Sequence, residues 1–183
     1  MYKILLLLSI FVSANIFAHE PAIVQAGTSE EIPFPGHKSF LLSDSDSTPS
    51  NVAILELVLP PKTFGAPPHI HTKEDEHFYV LSGSVEFLNK DEVVSVGEGG
   101  LLVLPRGHLH GFWNITNKPA KLLLVVSPGE FASFFDTVVA QIRKENPDDP
   151  QKVGQIIGMV AAKYGVTVHP DKIPPSAESV LPK

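Results

Sequence analysis

Two histidines separated by one residue, followed closely by acidic residues, give this chain its clearest candidate for chemistry. They lie in the stretch PPHIHTKEDEHFYVLSG, which runs from Pro67 to Gly83. Side chains at positions i and i+2 of a β-strand project from the same face, so His69 and His71 can bind one ion together. Imidazole nitrogens and carboxylate oxygens together suit divalent first-row metals, and the stretch therefore predicts a metal site.

Alternation along the next strand indicates which acid joins this pair. If the strand begins near Glu76, then Glu76 shares one face with Phe78 and Val80. Because that face is apolar, it is expected to turn inward and to carry Glu76 with it. Glu76 is therefore the predicted carboxylate of the site.

The neighbouring polar residues are expected to lie elsewhere. His77 shares the opposite face with Tyr79, and it is predicted to be an outward polar residue or a subunit-contact histidine. Glu74 and Asp75 precede the strand and are expected to stay solvated, as charged side chains usually do.

A fourth ligand is offered downstream, in the stretch GEGGLLVLPRGHLHGFWN. Pro105 and Gly107 predict a tight bend after an apolar strand, and His110 follows where the chain re-enters the sheet. His108 is an alternative because it shares parity with His110 in an extended chain. The loop residues Arg106 and Gly107 make that parity unreliable.

The two stretches resemble the paired motifs of the cupin superfamily. The first motif, H-x-H, three or four residues, E, six residues, G, is matched by His69, His71, Glu76 and Gly83. The second motif, G, five residues, P-x-G, two residues, H, three residues, N, is matched by Gly99, Pro105, Gly107, His110 and Asn114. One departure is Gly65, which stands three residues before His69 instead of five. The later SPGEFASFFD and AAKYGV also resemble the tail of small single-domain cupins called quercetin-dioxygenase-like.

This resemblance implies an all-β fold, a cupin-type jelly-roll β-barrel from about Phe34 to Pro128. It implies one divalent transition metal ion (iron, manganese, nickel, cobalt, copper or zinc), held by His69, His71, Glu76 and His110. In flavonol-cleaving relatives the counterpart of Glu76 is thought to detach and act as a base, so Glu76 is the implied catalytic residue. A homodimer is expected on the same ground.

Apolar residues on the neighbouring strands could form the wall of a substrate pocket around the ion. The candidates are Phe78, Val80, Phe87, Phe112 and Trp113. Each fits an ordinary core position equally well. Trp113 has the opposite parity to Phe112 and Asn114, so only one of these sets can line a pocket. Asn114 is expected to stabilise a turn or a strand end.

Eight short apolar runs broken by turn residues suit a sandwich or barrel. They span 39–42, 52–59, 77–81, 85–88, 93–96, 101–104, 112–116 and 122–126. Two amphipathic stripes then predict helices packed outside the β domain, one ending near Lys144 and one closed by Gly165. The expected organisation is a signal peptide (1–18), a cupin domain with an N-terminal arm (19–128), a helical segment (129–168) and an extended tail (169–183).

The first eighteen residues have the pattern of a secretory signal peptide. Lys3 precedes an apolar run from Ile4 to Val12, and small residues follow up to Ala18, after which cleavage is expected. The run is too short for an ordinary membrane span, so a periplasmic or secreted protein is predicted, with an uncleaved N-terminal anchor as the alternative.

Composition excludes several classes of function. The chain of 183 residues has 14 basic and 20 acidic side chains and a formal net charge of −6. The basic residues form no stripe, so nucleic acid is not an expected partner. Cysteine is absent, which excludes disulfides, thiolate ligands and a cysteine nucleophile.

The leading functional hypothesis is an exported, metal-dependent, dioxygenase-like enzyme acting on a small organic molecule, for example an aromatic one. Three imidazoles and a carboxylate would leave about two positions of an octahedral ion for oxygen, water or substrate. One alternative is a non-redox isomerase or lyase that uses the ion only as a Lewis acid. The other is a module that binds a sugar or another small ligand without catalysis.

Overall fold

The protein contains two antiparallel β-sheets in a computed structural model that describes residues 20–181. The predicted signal peptide lies outside the described residues. The first sheet has the strand order β1-β2-β3-β10-β5-β8, with β1 at Glu31–Ile32, β2 at Lys38–Ser43, β3 at Ala53–Leu59, β10 at Ala120–Ser127, β5 at Asp75–Ser82 and β8 at Leu101–Leu104. The second sheet has the order β11-β4-β9-β6-β7, with β11 at Val166–Val168, β4 at Thr63–His71, β9 at His110–Asn114, β6 at Ser84–Asn89 and β7 at Glu92–Gly97.

The core lies between the two sheets, and alternation along the strands builds it. Strands β3 and β10 pair antiparallel, and every second residue of each strand is buried. Phe78 on β5 and Phe87 on β6 come from different sheets and meet with ring centroids 5.5 Å apart. Each of the eight apolar runs coincides with a strand, which confirms the prediction of a jelly-roll fold.

Strand β4 was not predicted, because Gly65, Pro67 and Pro68 are residues that usually interrupt strands. It pairs with β9 through two shifts in register. A Cβ at Gly65 would overlap the ring of Phe112, so glycine lets the two strands approach closely here. The irregular strand carries His69 and His71 at its end.

The two predicted helices pack outside the sheets and cover one end of the space between them. They are α1 (Ser133–Glu145) and α2 (Pro150–Lys163). Asp149 caps α2 by accepting a hydrogen bond from the backbone N–H of Gln151. After α2 the chain forms β11, which pairs with β4 beside His69 and His71. Among residues 20–181 no helix is long and apolar enough to cross a membrane.

The C-terminal tail is predicted to be an extended surface segment, but in the structure it is folded. It forms a short helix α3 (Pro175–Glu178) and buries Ala177 and Val180 in a small cluster with Leu88 and Trp113. Trp113 is fully buried on the outer face of its sheet, where an uncovered indole would expose a large apolar surface. The tail folds against this indole and shields it from water.

Candidate metal centre

Four side chains from three strands converge between the two sheets. His69 and His71 come from the end of β4, Glu76 from β5, and His110 from the first position of β9, directly opposite His69. Their ligand atoms all lie within 4.8 Å of one another. Nε2 of His69 is 3.1 Å from Nε2 of His71, and Nε2 of His110 is 2.8 Å from Oε2 of Glu76.

The outward nitrogen of each imidazole is held by a hydrogen-bond acceptor. Nδ1 of His69 donates to the carbonyl oxygen of Pro67 at 2.7 Å, and Nδ1 of His110 donates to the carbonyl oxygen of His108 at 2.9 Å. Nδ1 of His71 donates to the carboxylate of Glu74 at 3.1 Å. These contacts place the ring proton on Nδ1 and leave a lone pair on each Nε2.

The centre of the cluster therefore presents three nitrogen lone pairs and a carboxylate. Acceptors brought this close without a donor between them repel one another, and a cation removes the repulsion. A divalent transition metal accepts this donor set of three imidazoles and one carboxylate. The residues present thus fit a metal ion, which the cluster could hold.

The surroundings of the cluster favour a neutral His69 and an ionised Glu76, the forms that a metal requires. Desolvation, with a smaller contribution from repulsion by His110 and His71, lowers the pKa of His69 to about 3. Burial alone would raise the pKa of Glu76, but the imidazoles of His71 and His110 outweigh it and bring this pKa down to about 2. Neutral imidazole and ionised carboxylate are the forms that bind metals.

Glu74 does not stay solvated and corrects one expectation of the sequence analysis. Its side chain is 6% exposed and bonds the ring of His71. The acceptor that orients a ligand is commonly buried with the ligand. No local pattern marked this role, because it depends on His71 facing inward. Asp75 remains at the surface and pairs with Arg106 at 2.7 Å.

His77, predicted to point outward, and His108, the alternative to His110, both lie away from the cluster. His77 is on the opposite face of β5 from Glu76, and strand alternation predicted this correctly. His108 turns its ring outward, where Nε2 lies 2.7 Å from the side-chain oxygen of Asn89. Asn114 bonds backbone groups at the end of its strand, including the carbonyl oxygens of Pro60 and Lys118, as predicted.

A cavity of about 800 Å³ opens beside the cluster, with His69, His71 and Glu76 in its wall. Seven phenylalanines line it, among them Phe78 and Phe112 of the predicted pocket residues. Val80 and Phe87 are buried in the core and Trp113 is buried on the outer face of its sheet, so these three candidates are not part of the cavity wall. The helical segment supplies the far side with Phe131, Phe134 and Phe135, and with residues of α2.

His37 also lines the cavity, and the sequence analysis missed it. The residue precedes β2, is 5% exposed, and stacks on Phe34 with centroids 5.1 Å apart. A lone histidine before a strand carries no spacing signal. The only sequence cue was its position after Gly36, which has a positive φ of 90° and directs the chain inward.

Two antiparallel sheets enclosing three histidines and one glutamate define a jelly-roll domain with a candidate metal centre. Residues 55–126 match the family model described as the cupin domain, and all four cluster residues lie within that match. This part of the chain is a cupin domain, as the resemblance implied.

Two solved structures with TM-scores above 0.5 support the same fold. The polyketide cyclase RemF from Streptomyces resistomycificus is 21% identical with a TM-score of 0.51, over 62% of this chain and 94% of that one. A predicted oxalate decarboxylase from Thermotoga maritima is 22% identical with a TM-score of 0.51, over 57% and 97%. A sugar phosphate isomerase from Silicibacter pomeroyi is 26% identical with a TM-score of 0.46 over 50% of this chain, which spans only 59% of that protein. None of the curated proteins matches this chain.

Proposed function

We propose that this protein is a metal-dependent, dioxygenase-like enzyme acting on a small, uncharged aromatic molecule. The observation that carries the proposal is the opening of the His and Glu cluster into a cavity walled mainly by phenylalanines. Such a wall favours aromatic ligands through stacking and edge-to-face contacts. A cavity of this volume falls in the range of ordinary small-molecule sites.

The charges of the cavity narrow the substrate class. Among the described residues no lysine or arginine belongs to the wall, whereas the carboxylates of Glu76, Asp148 and Asp149 do. A phosphate or carboxylate group placed away from the ion would be desolvated among phenylalanines without a basic partner. A neutral phenol or polyphenol avoids this cost and brings oxygen atoms suited to a metal.

The protein's own groups have separable roles in such a reaction. His69, His71, Glu76 and His110 would hold the ion, which would bring an organic oxygen ligand and O2 into contact. Glu76, the single carboxylate of the cluster, is assigned to take the proton from a substrate hydroxyl group. The phenylalanines exclude water and fix the ring. Both atoms of O2 enter the product and the substrate supplies the electrons, so no further reductant is needed.

Oxygen consumption tests this proposal. The purified chain is loaded in turn with iron, manganese, nickel, cobalt, copper and zinc, and supplied with catechols and flavonols. Oxygen uptake should occur with at least one metal and fall by a hundredfold or more in His110→Ala, with His108→Ala as the matched control.

Three results would contradict oxygen chemistry, each in its own way. Uptake equal in the protein and in His110→Ala would exclude the cluster as its source. Turnover with zinc in the absence of oxygen would indicate an isomerase or lyase. Ligand-induced increases in melting temperature without any product would indicate a binding protein.

We also propose that the chain is exported and that residues 1–18 are removed. The support is the charge of Lys3 followed by the apolar run and by Ala18. Mass spectrometry of protein recovered from cells should find His19 as the first residue. A retained Met1 would contradict the proposal.

A homodimer is proposed on the outer face of β5 and β8. Tyr79 and Leu81 on β5, with Leu101 and Val103 on the edge strand β8, are between 38% and 57% exposed. Contiguous exposed apolar side chains at a sheet edge are typical of an association surface.

A negative net charge and the lack of a basic stripe keep nucleic acid outside the proposed partners.

A further inference from the structure

His37 stands out as a buried polar side chain of the cavity that the metal cluster does not use. Its ring lies among aromatic residues, with centroids 5.1 Å from Phe34, 6.2 Å from Phe112 and 6.3 Å from Phe135. An apolar residue would fill such a position at lower cost, because a buried polar group without a full set of partners is destabilising. Ser39 and the backbone of Lys38 satisfy part of the hydrogen-bonding capacity of this ring, and its remaining nitrogen calls for a further partner.

The backbone holds this histidine in place. Gly36 has a φ of 90°, and a Cβ on it would lie 3.1 Å from the carbonyl oxygen of Phe64. Another residue there would be strained in its backbone and crowded against β4. Next to it, Nδ1 of His37 lies 3.1 Å from Oγ of the fully buried Ser39. The ring is thus fixed in orientation by both its backbone and its neighbour.

The second ring nitrogen is available to a ligand. Within residues 20–181, Nε2 of His37 makes no hydrogen bond. This nitrogen also remains accessible and is not buried without a partner. The residue itself belongs to the cavity wall. The Ser39 hydroxyl group rotates, so Nδ1 can either accept from it or donate to it. Nε2 then becomes a donor or an acceptor accordingly, and both states suit a hydroxyl group.

His37 lies at a different part of the cavity from the metal cluster. The ring of His71 contacts Phe131 with centroids 4.7 Å apart, and Phe131 in turn lies 6.3 Å from Phe135. Phe135 then lies 6.3 Å from His37. Two aromatic rings separate the histidines along this wall. A ligand that reaches both histidines along this wall would place its rings against these phenylalanines.

We propose that His37 is a substrate-positioning residue, and that its Nε2 hydrogen-bonds a phenolic hydroxyl group at the end of an aromatic substrate remote from the metal. This inference rests on the proposed function, and it adds that the substrate carries polar groups at both ends. The metal cluster takes one end and His37 the other. Burial also lowers the pKa of His37 to about 4, so the ring is neutral and selects a hydroxyl group rather than an anion.

Binding of two related probes to the zinc-loaded protein tests the inference. Quercetin and 3-hydroxyflavone share the 3-hydroxyl and 4-carbonyl oxygens that suit a metal, but only quercetin carries further phenolic hydroxyl groups. The protein should bind quercetin at least tenfold more tightly by titration calorimetry, since a lost buried hydrogen bond costs about one order of magnitude. His37→Phe should reduce this ratio to about one and leave the affinity for 3-hydroxyflavone within about twofold.

Three further variants separate positioning from folding. His37→Gln keeps a hydrogen-bonding group and should restore part of the preference. Ser39→Ala frees the ring and should give an intermediate ratio. His169→Phe removes an imidazole outside the cavity wall and should change nothing. Zinc content and melting curves verify that each variant is folded and loaded.

A preference for quercetin that persists in His37→Phe overturns the inference, and so does a wild-type protein without the preference. Neither result contradicts the proposed function, because that function is tested separately by oxygen uptake that depends on His110. If the wild-type protein consumes no oxygen but still prefers quercetin to 3-hydroxyflavone, His37 is a recognition residue in a binding protein.

Discussion

The ring of His71 lies between two carboxylates, donating from Nδ1 to Glu74 at 3.1 Å and turning Nε2 toward the cluster, 3.5 Å from Glu76. Glu74 therefore fixes both the tautomer and the orientation of a proposed ligand without touching the ion. Residues in this position raise the basicity of the imidazole they hold. The metal affinity of the site should depend on Glu74 as well as on the ligands.

Replacing Glu74 with Gln should weaken metal binding by about tenfold, and Glu74→Ala by up to about a hundredfold, because the imidazole loses its charged acceptor. Competition with a chromophoric chelator measures the dissociation constant. Glu92→Gln on the exposed strand β7 makes the same charge change away from the site and is the control. Equal affinities in Glu74→Gln and Glu92→Gln would show that the contact does not orient the ligand.

How much of the site could be predicted is clear from Glu76 and Glu74. Alternation alone placed Glu76 inward with Phe78, because a regular strand has a fixed period. Glu74 lies before β5, where no period operates, and its burial arises from the position of His71. Strand β4 and His37 were missed for a related reason, since their placement depends on close approaches at Gly65 and Gly36 that only the folded chain creates.

The exposed apolar face of β5 and β8 predicts a change in oligomeric state on mutation. Leu101→Lys combined with Val103→Lys should convert a dimer into a monomer, because each lysine would be desolvated in the interface. Light scattering coupled to size-exclusion chromatography measures the mass. Val93→Lys changes a residue that is 40% exposed on β7, in the other sheet, and should leave the dimer intact. A wild-type monomer at micromolar concentration would refute the proposed interface.

The folded tail gives a spectroscopic prediction, because Trp113 is the only tryptophan of the sequence. Val180→Ala removes two buried methyl groups next to the indole and should lower the free energy of unfolding by about 1–2 kcal/mol. Emission of Trp113 should move to longer wavelength as water reaches it. Glu178→Ala changes an exposed residue of α3 and serves as the control. An unchanged emission maximum in Val180→Ala would mean that the tail does not cover Trp113 in solution.

The burial of His37 predicts how stability responds to acid. Its pKa of about 4 in the folded protein lies below the ordinary value of 6.5, mainly through desolvation. Between these values the unfolded chain binds more protons, so the free energy of unfolding falls as the pH drops from about 6.5 to 4. The packed neighbours Phe34, Phe112, Phe135 and Ser39 do not titrate. The other titratable groups of the cavity wall include the carboxylates of Glu76, Asp148 and Asp149. They are unchanged in a His37→Phe variant and are common to both proteins when that variant is compared with the wild type.

His37→Phe removes this proton uptake and should flatten the acid side of the stability curve. Relative to its value at pH 7, the wild-type free energy of unfolding should fall by about 3 kcal/mol more than that of the variant at pH 4. Urea unfolding with EDTA present measures both proteins without a contribution from metal release. Above pH 6.5 the two curves should run parallel. Parallel curves down to pH 4 would mean that His37 is solvated, which would also remove the reason to assign it a ligand.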